Sequence, residues 1–114
     1  MPRYVYRRLS NLAATEDGLR RYVELNPPGG KGGLPGLTVR HTEMRPGAEA
    51  PVVTEDVGQL FVTISGRGVM LVDGNRIEVA ANEVVFVTAG CQCGLQALGG
   101  TPWVYLLARS SPAS

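Results

Sequence analysis

From Leu37 onward the chain falls into short runs of branched and aromatic residues separated by turn residues, and this rhythm decides the fold class. Leu37–Met44 alternates in polarity, and Arg45-Pro46-Gly47 turns it. Gln59–Ser65 follows, closed by Gly66-Arg67-Gly68. Residues 69–72 run into Asp73-Gly74-Asn75, a tight-turn signal. Residues 76–80 and 83–87 come next, with Ala89-Gly90 as the break, and residues 103–108 are the last strand. Strands of this length, with no helical periodicity between them, predict an antiparallel sandwich or closed barrel.

The first third has a different texture. Residues 10–18 read as one or two helical turns, with Ser10 as the cap and Gly18 as the stop. Residues 19–25 read as a strand or extended arm, and the prolines and glycines of 27–33 break the chain. The expected organisation is an arm and loop over 1–36, a barrel over 37–109 and a frayed tail over 110–114. Tyr4, Tyr6, Leu9, Tyr22, Val23 and Leu25 make the arm too apolar for a solvated tail. It is expected to pack on its own barrel or to add a strand to a partner's sheet.

At 114 residues the chain has room for one core. Its 11 basic and 10 acidic residues give a formal charge of +1, which exerts no global pull on nucleic acid or an anionic membrane. The pairs Arg7-Arg8 and Arg20-Arg21 read as solvated surface. No apolar stretch approaches the roughly 20 residues of a membrane helix. The N-terminus lacks the apolar region of a signal peptide, so the cytoplasm is the expected compartment. Cys91 and Cys93 are the only cysteines and His41 the only histidine, which excludes a structural zinc site of the usual kind.

The run from Pro46 to Leu107 resembles the cupin superfamily. Pro46-Gly47 and Gly66 match the punctuation of the first cupin motif, and Val72-Asp73-Gly74 matches a turn typical of the family. Residues 82–90, Asn-Glu-Val-Val-Phe-Val-Thr-Ala-Gly, match the second motif. The resemblance implies a small jelly-roll β-barrel. It also implies a metal held by three imidazoles and a carboxylate, but here those four positions read Val53, Glu55, Gln59 and Cys93. Valine cannot ligate and glutamine is a poor neutral donor. The expected cofactor is therefore none, with an atypical divalent metal bound through Cys93 as the least favoured reading.

Alternate residues of a barrel strand face the lumen. If Gln59 points inward, so do Phe61 and Thr63, while Leu60, Val62 and Ile64 pack on the other face. The lumen would then offer an acid, an amide, a thiol and an apolar wall that includes Val53, the usual form of a small-molecule site. Enclosed among apolar groups, Glu55 is expected to lose hydration and to act as a general acid or base. Gln59 can orient a substrate through its amide. Cys93 reads as packing before nucleophile, and Trp103 and Tyr105 read as core or dimer contacts. His41 faces the lumen if its parity is that of Val39 and Glu43, but the other parity, Arg40 with Thr42 and Met44, is equally open.

Two functions fit these residues. The first is a metal-independent acid/base enzyme acting on a small organic substrate, of isomerase, cyclase, dehydratase or epimerase type. Small cupins of bacterial secondary metabolism are similar to this chain in that respect. The second is a non-catalytic ligand-binding or regulatory cupin. The resemblance further implies a homodimer.

Overall fold

The computed structural model describes residues 8–26 and 36–110. Among these residues ten strands carry the fold: β1 Thr15–Glu16, β2 Arg20–Glu24, β3 Leu37–Met44, β4 Glu49–Thr54 and β5 Gln59–Ser65, then β6 Arg67–Val72, β7 Asn75–Val79, β8 Val84–Val87, β9 Gln92–Leu98 and β10 Trp103–Ser110. They form two antiparallel sheets, one of six strands in the order β1-β2-β3-β10-β5-β8 and one of four in the order β4-β9-β6-β7. The chain crosses between the sheets at β3–β4, β4–β5, β5–β6, β7–β8, β8–β9 and β9–β10. This is an all-β antiparallel jelly roll, as the strand spacing predicts. Among the described residues no helix is long and apolar enough to cross a membrane.

Local chemistry explains where the strands begin and end. Asp73 and Gly74 both adopt positive φ, 49° and 81°, which makes the two-residue hairpin between β6 and β7. The helical expectation over 10–18 gives way to a single 3-10 turn at Leu9–Asn11, and Ser10 caps nothing. The reason lies in Asp17, whose Oδ1 accepts the backbone N–H groups of Leu19 and Arg20 at 3.0 and 2.8 Å. That bonding competes with a helix, and Gly18 at φ 88° completes the turn into β2. β2 pairs with β3 along Arg20 to Glu24, so this part of the arm belongs to the chain's own sheet. The break at 27–33 and the aromatic run at 4–6 lie outside the described residues.

The core lies between the sheets. Gln59, Phe61 and Thr63 alternate inward at 9, 3 and 2 % exposure, while Leu60, Val62 and Ile64 face away. One end of the barrel is shut. Trp103 and Met44 are fully buried there, and the Trp103 indole N–H donates to Thr63 Oγ1 at 3.1 Å. Trp103 also packs on Tyr105 with ring centroids 4.6 Å apart. Burying an indole of this size stabilises the fold by roughly 4 to 6 kcal/mol before conformational entropy is counted. Gly68 lies flat beneath that ring, because a side chain there would collide with it.

Candidate functional site

Register sorts the core-facing side chains of the six-stranded sheet into rows. At the closed end lies Trp103–Met44–Arg20, and then Thr63–Tyr105–Thr42–Tyr22. Next come Val85–Phe61–Leu107–Arg40–Glu24, and last Val87–Gln59–Arg109–Thr38. Successive rows are two residues apart, about 6.7 Å along the strands. Apart from Arg20, which pairs with Asp17, the closed end is apolar and aromatic, and polarity rises toward the opposite end, the mouth. There the 55–58 and 88–91 loops connect one sheet to the other, joined by the Gly90 N–H donating to the Glu55 carbonyl at 2.8 Å.

Two ion pairs lie toward the mouth end of this sheet. Arg109 Nη2 donates to Glu55 Oε2 at 2.7 Å, both side chains being about one-third exposed. Gln59 stands opposite Arg109 in the ladder, one strand from the residue that Glu55 engages. One row deeper, Arg40 Nε donates to Glu24 Oε1 across the β2–β3 ladder. The Arg40 guanidinium also lies over the Tyr22 ring, 4.4 Å from its centroid, a cation–π contact. Two polar atoms of these pairs are shut off from solvent and have no hydrogen-bond partner among the described residues: Arg109 Nε and Glu24 Oε2.

The sequence-predicted residues divide. Glu55 is not enclosed in an apolar pocket; it is about one-third exposed and ion-paired, so the premise of its expected loss of hydration does not hold. Phe61 forms the wall one row below Gln59, packed against Tyr105 at 5.6 Å between centroids. Thr63 is inward but spent, since its hydroxyl accepts the Trp103 indole. Cys93 lies on the four-stranded sheet at the same end, in register with Val53 and Val72. Burial first, with a contribution from Cys91, pushes the Cys93 thiol up to about 11, so it is protonated at neutral pH. This favours packing over nucleophile. Val53 is 49 % exposed, because β4 is an edge strand with a register shift between Ala50 and Val53, so it is no enclosed wall. His41 belongs to the row Val62–Leu106–His41–Val23 on the opposite face, away from the lumen.

Arg109, Arg40, Glu24 and Tyr22 were not singled out as site residues by the sequence. Their signal is parity: Arg109 alternates in step with Trp103 and Tyr105, and Arg40 with Thr42 and Met44. A charged residue in step with fully buried neighbours is unusual enough to flag.

The family's metal position does not fit these residues. Val53 has no donor atom, Gln59 offers a neutral amide, the Cys93 thiol keeps its proton, and Glu55 is engaged by Arg109. Among the described residues no three His, Cys, Asp or Glu side chains gather closely enough to hold a metal ion.

No protein-family model matches the chain, and no curated protein matches it in sequence. Solved structures do match. A protein from Thermotoga maritima described as a predicted oxalate decarboxylase superposes with a TM-score of 0.83 at 15% identity, over 94% of this chain and 99% of that one. An RmlC-like cupin from Shewanella frigidimarina gives 0.78 at 18% identity, over 99% and 93%. The cupin domain of Schizosaccharomyces pombe Cnp3 gives 0.76 at 17% identity, over 94% and 74%. Identities this low carry the architecture alone, and that architecture is the cupin fold.

Proposed function

We propose that this chain is a small-molecule cupin enzyme that works by acid/base catalysis at the barrel mouth, of isomerase, cyclase, dehydratase or epimerase type. The observation that carries the reading is the placement of Glu55, half-buried against Arg109 and beside the Gln59 position. Glu55 enters as the base, takes a proton from the substrate and returns it at another atom. Gln59 orients the substrate through its amide. Phe61 and Leu107 supply an apolar floor one row below. The same proposal makes the chemistry independent of a metal and places the protein in the cytoplasm. Protein purified without added metal is expected to hold less than about a tenth of an equivalent.

The test is conversion of a pool of small carbonyl and hydroxyl compounds, followed by mass spectrometry. Glu55→Gln is expected to lower any conversion by about 10²- to 10⁴-fold, the usual contribution of one general base. A retained ligand with no conversion by the unaltered protein would make this a binding cupin instead.

We also propose a homodimer formed through the outer face of the six-stranded sheet. That face carries Leu60, Val62, Leu106 and Ala108, with Phe86 at 75 % and Val84 at 51 % exposure beside them. A contiguous apolar face of this kind on a sheet is the usual mark of an interaction surface.

A further inference from the structure

The charges near the mouth balance, two guanidinium groups against two carboxylates, but their hydrogen bonds do not. Arg109 gives Nη2 to Glu55 and leaves its Nε–H shut away from water with no acceptor among the described residues. These two N–H groups share one edge of the guanidinium, spaced to meet both oxygens of a carboxylate. Glu55 fills half of that edge. Across the same sheet, Glu24 gives Oε1 to Arg40 and leaves Oε2 buried without a donor. Each such atom carries the cost of desolvation with no bond in return. The same sheet thus holds an unmet donor of positive charge and an unmet acceptor. Both belong to side chains on the core face of the sheet, on β10 and β2, with β3 between them.

We propose that the mouth recognises a small hydroxy acid, whose carboxylate takes the Nε–H edge of Arg109 and whose hydroxyl donates to Glu24 Oε2. The hydroxyl is preferred to an ammonium because Arg40 already balances the Glu24 charge. Two strand spacings and one row, roughly 12 Å, separate the Arg109 and Glu24 backbones, a span that a small acid covers together with the two side chains. Tyr22, under Arg40, fixes that guanidinium and keeps Glu24 in place. This deepens the catalytic reading and rests on it for one consequence. A carboxylate arriving at Arg109 competes with Glu55 for the guanidinium, and so frees Glu55 beside the bound acid.

The test uses the full chain labelled with ¹⁵N and follows the arginine Nε–H signals, with Arg109 assigned by its loss in Arg109→Lys. Three probes are titrated: 3-hydroxybutyrate, butyrate and the methyl ester of 3-hydroxybutyrate. 3-Hydroxybutyrate is expected to move the Arg109 signal saturably. Butyrate, lacking the hydroxyl, and the ester, lacking the charge, are each expected to bind about tenfold more weakly. In Glu24→Gln the advantage of 3-hydroxybutyrate over butyrate is expected to shrink to less than about threefold. Equal affinity for all three probes, or no movement of the Arg109 signal at tens of millimolar 3-hydroxybutyrate, overturns the inference on the unaltered chain alone. If the hydroxy acid binds as described but is never converted, the site stands and the catalytic reading falls. If Glu55→Gln abolishes conversion of a neutral compound while no acid binds, the reverse holds.

Discussion

Gly68→Ala is the sharpest test of how the closed end is built. A Cβ added at Gly68 would lie 2.6 Å from Cε2 of the Trp103 ring and closer still to its neighbours, about 1 Å inside ordinary carbon contact. Neither partner can step aside. β6 is held between β9 and β7, β10 between β3 and β5, and the Trp103 indole is tied to Thr63. Overpacking of this kind costs about 1 to 3 kcal/mol, and the stiffer unfolded chain of alanine offsets about 0.4 to 1 of it. The net loss is about 1 to 2 kcal/mol, which for a domain of this size lowers Tm by about 4 to 8 °C. The control is Gly94→Ala. Its Cβ would meet Val52 Cγ2 at 2.8 Å, but Val52 is 53 % exposed on the edge strand β4 and can rotate away. That variant is expected to stay within about 2 °C of the parent, from the same entropy gain and a relieved clash. Thermal and urea unfolding, read by the fluorescence of the single tryptophan at one fixed protein concentration, measure both. A Gly68→Ala variant as stable as the parent, or a Gly94→Ala variant that loses as much, would refute this account of the packing.

Other consequences are quicker to check. With the Cys93 thiol at about 11, roughly one molecule in a thousand is thiolate at pH 8, so a disulfide reagent should count at most one fast thiol in the native protein and two in urea; two fast native thiols would contradict the burial of Cys93. Burial acts to raise the pKa of Asp17, but the N–H groups of Arg20 and Leu19 and the Arg20 charge outweigh it and hold the carboxyl below its ordinary value. Its stabilisation is therefore present above the ordinary carboxylate pKa and lost as pH falls through the folded value, so Asp17→Ala should cost at most about 1 kcal/mol at pH 7 and less below about pH 4 by chemical unfolding. Phe86→Glu should turn the proposed dimer into monomer by light scattering, with the same circular dichroism; a mass unchanged from that of a parental dimer would move the interface elsewhere.

What the sequence could say about the fold depended on how each strand sits in its sheet. β3 and β5 were readable to the residue because their alternation is strict and a Gly turn ends each. β4 was missed because Pro51 interrupts it, and the fold tolerates that proline only because β4 is an edge strand with a register shift beside it. β9 was missed because Gln92, Gly94 and Gln96 dilute its apolar residues, although Cys93, Leu95 and Ala97 alternate inward as a strand requires. The face of His41 could not be read at all, since either parity of β3 puts polar groups on both sides, and only pairing with Leu106 and Val23 decides it. The costliest error was where the last strand ends. A strand ending at 108 leaves Arg109 just beyond it, whereas β10 runs to Ser110 and makes Arg109 the partner of Glu55.

That one residue changes the chemistry open to the mouth. A carboxylate withdrawn even partly from water needs a compensating cation. The resemblance implies that in a typical cupin the compensating charge near this position is a metal ion, shared with three imidazoles. Here the imidazole positions hold Val53, Glu55 and Cys93, and the charge opposite Glu55 comes from Arg109 on a different strand. A guanidinium cannot change oxidation state or activate a bound water as a Lewis acid. What it can do is hold an anion by a planar edge and keep a nearby carboxylate charged. Both capacities lead to the same class of reaction, in which an acid is anchored and one of its protons is moved. Replacing Arg109 by Lys keeps the charge and removes the edge, so anchoring should suffer more than the Glu55 ion pair does. Measured as acid affinity against thermal stability, the first should fall about tenfold while Tm moves by no more than about 2 °C. Equal losses in both would mean that Arg109 only holds the barrel together.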